Sequence, residues 1–217
     1  MPSHSPRGAA TSEAVEIRLR RSQSWLRKAR KATDPDSQFI FLWIAFNALY
    51  GRPRYRDDVV SHEIPDLTEF LGAVEELSRG QLSAALRRPD LEGHVEKVLQ
   101  SPFLNIDCWK QWDRAGIRDR RRRVELSSNI YSKQHPTARV FLQLYTLRNQ
   151  VLHGAATDGG QRNRESLRHA TAILDAAVEV IVDLVRKHHA KIRWLEPLPY
   201  PPSVGDGGQF NGPRLRR

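Results

Sequence analysis

Residues 147–154 read LRNQVLHG, and two of these side chains, Arg148 and His153, are of the kinds that handle phosphate. An arginine, as at position 148, offers a planar, cationic fork of donors to phosphate oxygens. Histidine is the residue type suited to proton transfer, so the imidazole at position 153 can act as base or acid in a reaction. On an ideal helix, residues five apart point about 140° apart and lie about 7.5 Å apart along the axis. The two share no face, whereas Asn149 and His153, four apart, do, so Asn149 can orient the imidazole. A site built on both needs the arginine to reach around, the helix to deform before Gly154, or a second chain to supply the complementary group. The competing reading is a capped helix end, with a cation near the negative pole of the macrodipole and Gly154 as the C-terminal cap.

Other residues invite the same question. Two basic clusters stand out: Arg18, Arg20, Arg21, Arg27, Lys28, Arg30 and Lys31 near the start, and RDRRRR in the middle, with Arg118, Arg120, Arg121, Arg122 and Arg123. Each suits a polyanion and each equally suits a solvated helix face. Asn47 interrupts an otherwise apolar run and must find a hydrogen bond, either as a buried structural amide or, with Tyr50, as support for a site. The only cysteine, Cys108, lies in the aromatic context NIDCWKQW and reads as structural. The histidines, including His188 and His189, lack ligand spacing, so no metal is expected, and no glycine-rich phosphate loop is present. No cofactor is expected either.

These residues need helices to position them. Residues 11–32 are rich in helix formers, and Thr33, Asp34 and Pro35 make a stop followed by a new start. From Asp36 to Tyr50 the chain is apolar on nearly every side, as suits a central helix. After Gly51 and Pro53 a polar connection leads to Pro65, from which Leu67, Phe70, Leu71, Val74 and Leu77 repeat at helical spacing. Shorter helical pieces are expected at 81–87 and 89–99, and a longer one at 107–130. Pro136 opens the motif helix, whose Val140, Leu144, Leu147 and Val151 form one inward stripe. A final helix over 164–188 turns Leu167, Ala170, Leu174, Ala177, Ile181 and Leu184 inward.

The chain of 217 residues carries a net charge of +10, enough length for one substantial core and a balance that favours nucleic acid as partner. The most apolar window, FIFLWIAFNALYG, is too short to cross a bilayer, and the N-terminal stretch lacks a signal-type apolar segment. No membrane association and a cytoplasmic location are expected. The domain reading is a flexible tail over 1–11, one helical domain over 12–195, and a flexible Pro/Gly-rich tail over 196–217.

Two helices joined by a Gly-containing loop, the first ending in arginine, a polar residue, three more residues and histidine, resemble the HEPN superfamily of all-helical proteins. The early helix ending FNALYG is similar to the opening helix of its Apea-like subgroup. The resemblance covers roughly residues 37–187 and implies an all-α, single-domain HEPN-like bundle. It also implies a metal-independent endoribonuclease with Arg148 and His153, supported by Asn149, as its site, and a symmetric dimer in which the motifs of two subunits meet. RNA, as tRNA or mRNA, is then the substrate, guided by the cluster at 118–123. A toxin or phage-defence role is implied, with an antitoxin or defence-system protein as partner.

The chemistry fits those residue types. A base removes the proton of the ribose 2′-OH, a cation steadies the phosphorane, and an acid protonates the leaving 5′ oxygen, giving 2′,3′-cyclic phosphate and 5′-hydroxyl ends. Ala155 stands where toxins paired with a nucleotidyltransferase antitoxin carry the tyrosine that receives a nucleotide, so that mode of silencing is not expected. The other functional reading is a non-catalytic helical module that binds RNA, nucleotide or a protein.

Overall fold

Asp34 starts a helix: its backbone is extended, its Oδ1 accepts a hydrogen bond from the Ser37 amide at 2.7 Å, and Pro35 occupies the first helical position. That bond to Ser37 holds the Asp34 carboxyl below its usual range. A computed structural model describes residues 12–51, 63–105, 136–153 and 163–188. Among them are seven α-helices and no strand: α1 (Ser12–Arg30), α2 (Pro35–Tyr50), α3 (Glu63–Ser78), α4 (Gln81–Leu86), α5 (Pro89–Gln100), α6 (Pro136–Leu152) and α7 (Arg164–His188). A 3-10 turn, Pro102–Leu104, follows α5. The expected all-α, single-domain bundle is what forms. Both tails, the expected helix at 107–130 with its arginine cluster, Cys108, Gly154 and His189 lie outside the described residues.

The apolar run of α2 makes it central. It packs against α1, α3, α6 and α7, and Phe39, Leu42, Phe46 and Leu49 are buried. The Phe46 ring sits among Trp43, Tyr50, Phe70 and Phe141, with centroids 5.6, 4.8, 6.2 and 4.8 Å away. All six inward positions expected on α7 are buried, and this helix packs on α1, α2, α3, α4, α5 and α6. On α6, Val140, Leu144 and Leu147 are buried and Val151 partly so.

Three polar features tie the helices together. Arg18 of α1 is buried and donates through Nη1 to the carbonyls of Ala48 and Leu49, at 3.2 and 3.4 Å. A permanent cation thereby meets the last-turn carbonyls of α2, which have no partner within their own helix. Arg30, at the other end of α1, binds Asp175 and Glu179 of α7. The buried Glu75 carboxylate of α3 accepts from Ser83 of α4 at 2.5 Å and from Thr137 of α6, joining three helices at one oxygen.

His169 of α7 is buried with its Nδ1 2.9 Å from Nδ1 of His94 on α5, and the rings are edge to face. Burial first, and the neighbouring His94 second, push the His169 pKa below the ordinary 6.5, against the opposing pull of Glu165. The folded state therefore prefers the neutral ring. This contribution is complete above the unfolded value near 6.5 and is lost as pH falls below it towards the folded value. Urea midpoints should be lower at acidic pH than at neutral pH, and His169→Gln should shrink the difference. Equal midpoints in the parent would refute the assignment.

Candidate functional site

The C-terminal turns of α6 carry the motif, and the buried stripe of Leu144 and Leu147 fixes how they are presented. Arg148 follows Leu147 and turns towards α2 and α3, with its side chain 21% exposed. Its Nη1 donates to Asn149 Oδ1 at 2.7 Å and lies 3.7 Å from Glu63 Oε2. The guanidinium also rests 5.7 Å from the centre of the Tyr145 ring. Among the described residues its Nε is buried without a hydrogen-bond partner, so part of the fork is left unused.

Glu63 links this arginine to α2. Tyr50, the last residue of α2, is buried and donates its hydroxyl to Glu63 Oε1 at 2.9 Å. Burial, then the Glu63 carboxylate, push the Tyr50 phenol well above its usual 10, so it remains a donor at any physiological pH. The carboxylate thus receives Tyr50 on one oxygen and faces Arg148 with the other. Glu63 is also the first residue of α3, where the positive helix end favours an anion.

His153 stands apart. It is exposed, just beyond Leu152, and its backbone amide continues the helical pattern by donating to Asn149 O at 3.0 Å. Among the described residues no side chain hydrogen-bonds the imidazole. Among the described residues no hydrogen bond joins Asn149 to the histidine as its spacing suggested; its side-chain oxygen accepts instead from the charged Arg148 donor. Asn47 is half-buried, and its backbone carbonyl accepts from the Gly51 amide at 2.7 Å. No hydrogen bond among the described residues ties its side-chain amide to the cluster.

The structure thus brings Arg148, Asn149 and Tyr50 together through Glu63 and leaves His153 on the outside of the same helix end. Glu63 belongs to the cluster yet falls in what reads as a polar connection ending at Pro65. The run of Glu63 and Asp66 around Pro65 carried a signal: acidic residues and proline are both favoured in a first helical turn. Beside the motif, Gln150 Nε2 donates to the Phe103 carbonyl at 2.6 Å, and both Phe103 and Leu152 are exposed.

Chemically, the helix end offers a free imidazole and a guanidinium whose charge is shared with a carboxylate. Among the described residues no three histidine, cysteine or carboxylate side chains are grouped to hold a metal, and no helix is long and apolar enough to cross a membrane. No family model, no curated protein and no solved structure matches this chain.

Proposed function

We propose that the chain is a HEPN-type, metal-independent endoribonuclease that acts as a homodimer in the cytoplasm. The observation that supports this most is an exposed imidazole at the same helix end as a half-buried guanidinium that is turned to Glu63, in a chain of net charge +10. One copy cannot enclose a phosphodiester with groups so divided, whereas two copies meeting at α6 supply two imidazoles and two cations. The exposed Leu152 and Phe103 beside the motif give such a contact apolar area. In the composite site one His153 takes the 2′-OH proton and the other protonates the leaving 5′ oxygen, while Arg148 steadies the phosphorane. A toxin or phage-defence role, acting on tRNA or mRNA and held in check by an antitoxin or another defence protein, accords with such an activity.

Incubation of the purified protein with total tRNA in EDTA tests the reading. The expected result is cleavage that persists in chelator and leaves 2′,3′-cyclic phosphate ends. Intact RNA at high protein concentration defeats it, and full activity from a strict monomer at nanomolar concentration defeats the composite site. One observation favours the alternative, a non-catalytic helical module that binds RNA, nucleotide or a protein partner. Arg148 is already engaged by Glu63 and Asn149, and a guanidinium so engaged must exchange partners before it grips a phosphate.

A further inference from the structure

Arg148 is a cation with a resident anion beside it, and the two side chains are held in different ways. Among the described residues one hydrogen bond holds the guanidinium, from Nη1 to Asn149 Oδ1 at 2.7 Å, and the group lies over the Tyr145 ring. Glu63 Oε2 is 3.7 Å from the same Nη1, too far for a hydrogen bond but close enough for the charges to attract. The direction of the arginine is therefore set within its own helix, by residues 145 and 149. What Glu63 adds is charge.

The carboxylate is fixed from outside the pair. Tyr50, buried at the end of α2, donates its hydroxyl to Oε1 at 2.9 Å, and Glu63 is the first residue of α3, where the helix dipole favours an anion. Neither support depends on Arg148. The helix does not depend on Glu63 either, since Asp66 gives the same first turn a second acid. Both members of the pair are largely shielded, with side chains 21% and 27% exposed, so water screens them less than it screens an open surface pair. A negative charge thus stays beside Arg148 whether or not the arginine is occupied. A phosphate drawn to the guanidinium meets that charge at close range and also draws the cation away from it, and both effects oppose binding.

We infer that Glu63 is a built-in competitor of the substrate phosphate, held in place by Tyr50, and that it lowers the affinity of the Arg148 site for RNA. The identity of the anion as RNA rests on the ribonuclease reading; the competition itself rests on the placement of the two side chains.

The test uses the full chain carrying His153→Ala, so that cleavage does not enter, and a fluorescein-labelled uridine oligonucleotide read by anisotropy. Glu63→Gln keeps an oxygen for Tyr50 and removes the charge. It should bind at least about fivefold more tightly and steepen the slope of log Kd against log salt by about 1. Loss of any acid makes the chain more basic, so the same change is made together with Arg148→Ala. There the gain should shrink below about twofold, because the competitor has nothing left to compete for. Circular dichroism melts confirm that each variant is folded. Unchanged affinity in a folded Glu63→Gln protein overturns the inference. Weaker binding overturns it as well and makes Glu63 a positioning residue for the arginine, and an equal gain with and without Arg148 reduces it to a general effect of charge. With His153 restored, a chain that cuts RNA but shows no gain from Glu63→Gln defeats the competitor alone. A gain that needs Arg148, in a chain that never cuts RNA, defeats the ribonuclease reading alone, and absence of binding by every variant defeats both.

Discussion

His153→Ala should melt within about two degrees of the parent while its RNA cleavage falls by roughly 10²-fold or more. The two halves of this result have separate causes. The imidazole is exposed beyond the last residue of α6, and among the described residues no side chain bonds it, so its loss removes almost no folded-state contact. The amide that extends the helix, from residue 153 to Asn149, is backbone and survives the substitution. The rate loss follows because no other described titratable side chain stands exposed at this helix end to move a proton near neutral pH. Arg148→Lys is the companion variant. It keeps a charge for Glu63 but loses the planar fork, so RNA should still bind and be cut poorly. A well-folded His153→Ala protein that cuts at the parental rate would reduce LRNQVLHG to a capped helix end and remove the catalytic reading.

Phe46→Ala should lower stability by about 3–5 kcal/mol, a large share of the roughly 5–15 kcal/mol that holds a typical domain together. The ring is fully buried and touches aromatic neighbours on α2, α3 and α6, so truncation opens a cavity where three helices meet. Those neighbours are rings seated on separate helices and cannot collapse into the space without moving backbone. The melting temperature should drop by about 6–20 °C. Phe103→Ala, removing an exposed ring of the same size, should change stability by no more than about 0.5 kcal/mol. Urea denaturation with unchanged m values is the measurement, and comparable losses at the two positions would show that α2 is not the centre of the core.

The bundle was legible where one helix speaks for itself. The all-round apolar run of α2 and the stripes of α6 and α7 follow from periodicity alone, because burial of a helix face is written in residues three and four apart. The candidate site was only half legible. Arg148, Asn149, His153 and Tyr50 could be singled out by type and spacing, but Glu63 joins them by a contact across 85 positions that no local pattern encodes. The start of α3 was misplaced for a related reason. The apolar spacing sets in only after Pro65, yet proline is tolerated anywhere in the first turn, where amides have no helical partner, and the helix begins at Glu63. Arg18 looked like its neighbours in the basic run and proved to be internal, since the unpaired carbonyls that draw it inward belong to another helix. The His94–His169 pair was invisible for the same cause.

The reach of α7 sets the order in which the chain can become a protein. This helix closes against every other described α-helix, and it is the last described element to be made. Roughly 140 residues separate the end of α2 from the end of α7, so at a synthesis rate of about 5–20 residues per second the apolar α1–α2 pair waits on the order of ten seconds for its cover. Throughout that interval the face of α2 that α7 covers is open to solvent and to other chains. A nascent chain halted before Arg164 is therefore a ready chaperone client, and one released there lacks the surface that would let it fold.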